Sequence, residues 1–154
     1  MEYFGFSYIG ALWLIMLFVP NIFWARNIPD GYTSDGENKI LRLFERIGEV
    51  SVSCLAVLTR SFNIRDGILQ NLWLILSAVL MILYEIYWVR YFKSPKKLLD
   101  FYSSLLGIPV AGATLPVAAF AALAAHGRSI PMAAAVLILG TGHIGIHLEH
   151  KSKL

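Results

Sequence analysis

The sequence predicts an all-α protein, a polytopic membrane bundle of about five transmembrane helices. Hydrophobic residues fill 57% of the 154 positions and charged residues only 15%, whereas ordinary globular chains have about 45–50% and about 25%. The apolar residues also occur in long blocks. Because a membrane helix takes about 20 apolar residues, the chain accommodates about five crossings joined by short loops.

The first three helices are predicted at residues 3–24, 38–59 and 67–91. The loop between the first two contains turn-forming residues, Pro29 and Gly36 among them. Ser34 and Glu37 have the spacing of a capping box for the second helix.

The last two helices are predicted at 95–125 and 131–150. Ser94 and Pro95 are an N-cap and first-turn pair for the fourth helix, and Ser129 precedes the fifth in a similar way. No loop is long enough for a separate soluble domain, so residues 1–154 are expected to form one integral membrane domain.

Basic residues in the loops predict the orientation, since Lys and Arg favour the cytoplasmic side. Nine fall on one side of a five-helix bundle and three on the other. The nine are Arg26, Lys39, Arg42, Arg90, Lys93, Lys96, Lys97, Lys151 and Lys153, and the three are Arg60, Arg65 and Arg128. The N-terminus should therefore lie outside and the C-terminus inside a cell (cytoplasmic) membrane.

The composition also argues against several other classes of protein. The formal charge is +3, but the basic residues are scattered between apolar blocks, so no nucleic-acid partner is expected. Cys54 is the single cysteine, which excludes an internal disulfide and a cysteine zinc cluster. Neither a Walker loop nor a Gly-x-Ser-x-Gly elbow is present, so no enzyme class is proposed.

The second predicted helix carries charged residues on one face, where Arg42, Glu45, Arg46, Glu49 and Ser53 form a stripe about 100° wide. A charge at the centre of a membrane helix costs about 2.5–3.5 kcal/mol. Two interpretations stay open: the acids pair with the arginines at i,i+3 near the headgroups, or the stripe faces a pocket within the bundle.

Glu85 is the most isolated charged residue of the third helix. No basic residue lies three or four positions away, so its partner should come from water or another helix. Structural hydrogen bonding and a functional role are both open for it. Asn21, after Pro20 in the first helix, is a polar residue at a comparable depth.

The fifth helix ends with His143, His147 and His150 at i, i+4 and i+7, within about 60° of one another. His143 and His147 could present two imidazoles to one divalent metal ion or haem. The alternatives are a polar contact between helices and a cytosolic terminus.

Tyrosines and tryptophans near the predicted helix ends are interpreted as interfacial anchors. Trp24, Trp88 and Tyr91 are examples, whereas Trp13 falls too deep for this explanation.

Helix rise places the unusual polar residues at one level, within about 15 Å of the inner interface. The sequence therefore predicts a cytosol-facing pocket that binds or moves a cation or small polar solute. Its predicted residues are Glu45, Glu49, Glu85, Arg46 and Asn21, with His143 and His147 as metal ligands.

Other functions remain open beside that pocket. The chain could be a non-catalytic membrane subunit or assembly partner that docks through the charged stripe, or an intramembrane metal- or haem-binding protein. The expected partners are the lipid bilayer and either a second copy of the chain or another membrane protein.

Several short segments resemble an uncharacterised family of small bacterial multi-pass membrane proteins. They include Pro20-Asn21-Ile22, Phe44-Glu45-Arg46-Ile47-Gly48 and Gly142-His143-Ile144. The resemblance implies a bacterial membrane setting, and it implies no activity and no catalytic residue.

Overall fold

A computed structural model describes residues 4–154, which contain six α-helices and no strand. The helices are α1 (Tyr8–Trp24), α2 (Lys39–Leu58), α3 (Leu72–Lys93), α4 (Leu98–Phe101), α5 (Ala111–Gly127) and α6 (Ile130–Ser152). Short 3-10 turns lie at Arg60–Phe62 and Ile68–Asn71. The all-α prediction is confirmed. The first helix begins at Tyr8, and residue 3, where it was predicted to begin, lies outside the described residues.

Polar side chains define where three of the helices begin. Ser7 accepts a hydrogen bond from the Gly10 backbone at the start of α1, and Ser129 accepts one from Met132 at the start of α6. At α2 the cap is Asn38, which accepts from Ile40 and Leu41. The predicted capping box at Ser34 is therefore wrong by four residues, because Asn38 satisfies the first N–H groups itself.

The predicted fourth helix, residues 95–125, is also wrong, since the structure breaks it into α4 and α5. Between them, Leu105 and Ile108 exchange backbone hydrogen bonds in a tight turn, and Gly107 has a φ of +81°. Pro109 has no N–H and disfavours helix at the residue before it. The guanidinium of Arg90 donates to the Ser104 carbonyl at 3.0 Å and holds this break against α3.

Two antiparallel pairs, α2 with α6 and α3 with α5, form the body of the bundle, and α5 joins α6. The Trp13 indole of α1 donates to Ser77 of α3 at 2.7 Å, and Ser77 donates to the Ala119 carbonyl of α5. This chain of bonds explains why a tryptophan lies so deep in α1.

Glycines allow the backbones of α2 and α6 to touch. A Cβ atom on Gly142 would lie 2.3 Å from the Glu45 nitrogen, and one on Gly48 would lie 2.4 Å from the Leu139 Cα. Because glycine has no side chain at either position, the two backbones approach closely at the level of Glu45 and His143.

Two helical segments, Ile68–Lys93 and Ile130–Ser152, are long and apolar enough to cross a membrane. The outward face of α3 is apolar as well, with Val79, Ile82 and Ile86 exposed. Its inward face carries Met81, Tyr84 and Tyr87, all buried. A helix that is apolar on every side is typical of a large core or a membrane span.

Candidate functional site

A cavity of about 630 Å³ lies in the middle of the bundle. All six helices and the loop after α1 contribute to its wall. The lining residues are Leu17, Phe18, Asn21, Trp24, Tyr32, Glu45, Glu49, Val50, Val52, Ser53, Cys54, Tyr84, Trp88, Phe101, Gly112, Pro116, Val117, Phe120, Leu139, His143 and His147. The wall is mainly apolar and aromatic, and its polar groups gather on α2 and α6.

Five of the seven residues predicted from the sequence line this one cavity. They are Asn21, Glu45, Glu49, His143 and His147. Arg46 and Glu85 are not among the lining residues, although both were predicted for the same site. The polar faces of α1, α2 and α6 that helical periodicity predicted therefore meet at one cavity. α3 contributes other residues to the cavity wall than the one predicted.

Glu45 is bound by an imidazole of another helix. Its Oε1 lies 2.6 Å from Nδ1 of His143, a distance that fits an N–H of the ring donating to the carboxylate. Both side chains are partly buried, with 26% of His143 and 19% of Glu45 exposed. The sequence interpretation that paired Glu45 with Arg42 is wrong, because no ion pair joins these two residues.

Glu49 follows Glu45 by one helical turn, so the two carboxylates share a face of α2. Glu49 lines the cavity and is exposed, and within residues 4–154 no ion pair engages it. One carboxylate is therefore held by His143 inside the cavity, while the other is available to a ligand.

His147 has a buried nitrogen that lacks a hydrogen-bond partner. Its ring lies 4.7 Å from the ring of His143 and packs against Phe101 and Tyr102. Among the described residues, no group reaches its Nδ1 atom. A buried polar atom without a partner costs free energy.

Asn21 lies on the α1 side of the cavity. Its amide nitrogen donates to the Tyr84 hydroxyl at 2.9 Å and to the Leu17 carbonyl at 2.7 Å. These bonds fix the amide and orient Tyr84, another lining residue that the sequence did not single out.

Aromatic residues close one end of the cavity. Trp24 and Phe101 stack at 5.1 Å, and Tyr32 meets both rings edge-on. We call Trp24, Tyr32 and Phe101 the aromatic cluster. Burial raises the pKa of the Tyr32 phenol, and the carboxylates of Glu37 and Glu45 raise it further. Tyr32 therefore stays a neutral hydroxyl at neutral pH.

A contact from the end of α6 holds the aromatic cluster in place. His150 Nε2 lies 3.0 Å from Oε1 of Glu37, and both side chains are largely buried. The His150 ring stacks between Tyr32 and Tyr102, with centroid distances of 6.1 and 5.5 Å. The third histidine thus secures the loop that carries Tyr32.

Sequence reasoning assigned Trp24, Trp88 and Tyr91 to the membrane interface. In the structure Trp88 is 3% exposed and Tyr91 1% exposed, and both Trp24 and Trp88 line the cavity. The spacing of Tyr84 and Trp88, one turn apart on α3, was the signal that could have placed them on an inward face.

Glu85 lies on α3 beside the inward face but outside the cavity wall. Its Oε1 is buried, and no hydrogen-bond partner reaches it among the described residues. The predicted grouping of Glu85 with the histidines is not what the structure shows, because Tyr84 and Trp88 occupy the part of α3 that lines the cavity.

Within residues 4–154, no group of three or more His, Cys, Asp or Glu side chains is arranged to hold a metal ion. Nδ1 of His143 is engaged by Glu45. Metal ligation by His143 and His147 stays a prediction.

Comparison with protein-family models, with curated proteins and with solved structures yields no match for this chain. The resemblance to small bacterial membrane proteins thus stays an expectation from the sequence. What the site does must be argued from its own residues.

Proposed function

We propose that this chain is a multi-pass membrane protein that binds a small organic cation in the central cavity. The observation that carries the proposal is the pair of carboxylates, Glu45 and Glu49, on one wall of a largely aromatic cavity. The sequence predicted a cation or a small polar solute as the ligand, and the ligand proposed here is a cation that also has an apolar part.

Support for a membrane setting comes from the inverted polarity of the helices. The interior of the bundle contains the partly buried Glu45 and His143, whereas α3 and α6 expose large apolar residues such as Ile82 and Leu137. Soluble monomers rarely expose large contiguous apolar surfaces. Five antiparallel helices, α1, α2, α3, α5 and α6, would then be the spans, with α4 at the inner end.

The charge of the wall favours a cation. Glu45 and Glu49 provide two carboxylates, and His143 already donates to one of them. Trp24, Trp88 and Phe101 also line the cavity, and aromatic rings attract cations.

The size of the cavity favours an organic ligand. About 630 Å³ is far more space than one ion needs, and it falls within the range of about 300–1,000 Å³ that small-molecule sites occupy. Apolar residues such as Leu17, Val52 and Leu139 line the rest of the wall. An amine that carries an aromatic or aliphatic group matches both parts.

The experiment is calorimetric titration of the purified protein in nanodiscs with phenethylamine and with phenethyl alcohol, which replaces the ammonium by a neutral hydroxyl. We expect the amine to bind and the alcohol to bind at least about tenfold more weakly, since hydrogen bonds to charged groups contribute about 1.5–3 kcal/mol. Glu45→Gln and Glu49→Gln should each weaken the amine by about tenfold or more for the same reason.

Glu149→Gln is the matched control, because Glu149 lies outside the cavity and bonds Lys153 at 2.9 Å. The Glu149→Gln protein should bind phenethylamine with the same affinity as the wild-type protein. Equal binding of amine and alcohol, or no binding of either, would contradict the proposal.

A second candidate is docking of a partner through α2. Arg42 and Arg46 are exposed there beside Leu43, Phe44 and Ile47, and no ion pair within the described chain engages either arginine. Chemical cross-linking in the native membrane tests this candidate. A cross-linked partner that Arg42→Gln with Arg46→Gln removes would support it, and a cross-link-free monomer would contradict it.

A further inference from the structure

The helices α1 and α2 are in backbone contact at one end. At that end Gly10 lies directly on the Ala56 backbone, where a Cβ atom would be 1.8 Å from the carbonyl oxygen. Backbone bonds from Gly5 to Leu58 and from Ser7 to Val57, at 2.9 and 2.8 Å, reinforce the contact. Toward the other end the cavity separates the two helices.

α3 binds α1 through side-chain hydrogen bonds that are spread along α1. Trp13 donates a hydrogen bond to Ser77 near the middle of α1, and Asn21 donates one to Tyr84 near the C-terminal end of α1. Beyond the helix, the Tyr91 hydroxyl donates to the Asn27 carbonyl at 2.8 Å. Because α1 is fixed to α3, the gap that opens lies between α1 and α2.

The most exposed residues of the cavity wall lie at this gap. Five lining residues are exposed, and all belong to α1 or α2: Phe18, Asn21, Glu49, Val50 and Cys54. We call these five residues the side opening. The inner end of the cavity is instead covered by the aromatic cluster, which the bond between His150 and Glu37 holds in place.

The surroundings of the side opening are apolar. Phe18 is 48% and Val50 65% exposed, and Ile15, Ile22 and Ile47 are exposed nearby on the same two helices. Glu49 lies ten residues beyond the start of α2, which is about 15 Å along the helix. At this depth a five-helix bundle places the side opening among acyl chains and away from the cytosol.

We infer that the ligand is a membrane-partitioning amphipathic amine that enters sideways from the bilayer between α1 and α2. The inference rests on the proposed function and departs from the expected cytosol-facing pocket. The apolar part of such a ligand dissolves in the acyl chains, and its ammonium meets Glu49 at the side opening before it reaches Glu45. A hydrophilic solute has no path through that surface, since crossing the acyl chains strips its water.

The first test compares association rates in nanodiscs for butylamine, hexylamine and octylamine, which share one head group and differ in membrane partition. Stopped-flow tryptophan fluorescence reports binding, because Trp24 and Trp88 line the cavity. At equal aqueous concentration we expect the association rate to rise with partition into the bilayer. A rate that is the same for all three amines would overturn the inference, even though binding itself would uphold the proposed function.

The second test blocks the side opening at Cys54, the single cysteine of the sequence. Alkylation with a bulky maleimide should slow association by about tenfold or more. The Cys54→Ser protein should show the same association rate with and without the maleimide treatment. Unchanged rates after full alkylation, or a loss of affinity without slower association, would overturn the sideways route.

Discussion

Nδ1 of His143 lies 2.6 Å from Oε1 of Glu45, across a separation of 98 residues in the chain. The contact exists because Gly142, the neighbour of His143, lets the α6 backbone touch that of α2 at Glu45. A packing feature and a polar feature therefore meet at one level of the bundle, next to the cavity.

We expect this bond to stabilise the α2 and α6 pair. Glu45→Ala and His143→Ala should each lower the free energy of unfolding by about 1–3 kcal/mol, because each leaves a partly buried polar group without its partner. The double variant should lose less than the sum, with a coupling of at least about 0.5 kcal/mol. Denaturant unfolding of the four proteins in detergent measures this, and additive losses would contradict it.

Gly142→Ala should destabilise the protein by about 1–3 kcal/mol, the usual cost of overpacking. Its Cβ would lie 2.3 Å from the Glu45 nitrogen, which is backbone and cannot rotate away. Gly140→Ala is the control on the same helix, since its Cβ would meet a side-chain methyl of Val117 at 3.1 Å. Thermal unfolding should rank Gly142→Ala clearly below Gly140→Ala, and equal melting temperatures would contradict the close contact.

Trp13→Phe should cost about 1 kcal/mol, because the substitution removes the indole donor to Ser77 while keeping an aromatic ring. Trp73→Phe serves as the matched control, since Trp73 is 54% exposed on α3. Denaturant unfolding of Trp13→Phe and Trp73→Phe measures the loss in the free energy of unfolding for each variant. If Trp73→Phe were the more harmful change, the role of the Trp13 bond would be refuted.

Glu85→Gln should leave the affinity for phenethylamine unchanged, because Glu85 does not line the cavity. This expectation opposes the one drawn from the sequence, which placed Glu85 in the site. Calorimetric titration beside Glu49→Gln decides between them. Weaker binding by Glu85→Gln would return this residue to the site.

Reporter fusions test the orientation that the basic residues predict. A reporter after Leu154 should be cytosolic, and one inserted beside Arg128 should be external, since the excess of Lys and Arg lies on the side of the C-terminus. The reporter is an enzyme that is active on one side of the membrane only, so its activity shows on which side the fusion point lies. Both reporters on the same side would mean that the number of spans is wrong.

Local information in the sequence was enough for the all-α class and for which residues share a helical face. Glu45 and Glu49 repeat at i,i+4, as do His143 and His147, and helical geometry alone puts each pair on one face. The structure has helices near the predicted segments at α1, α2, α3 and α6, because long apolar blocks bounded by caps and turns specify helices locally.

Tertiary structure decided everything that depends on which helix lies next to which. Glu45 pairs with His143 instead of Arg42, and Tyr84 and Trp88 replace Glu85 at the cavity wall. The break between α4 and α5 is held by Arg90 of α3. Helical periodicity states which residues share a face, but the partner of that face is fixed by long-range packing, here by backbone contacts at glycines that no local pattern specifies.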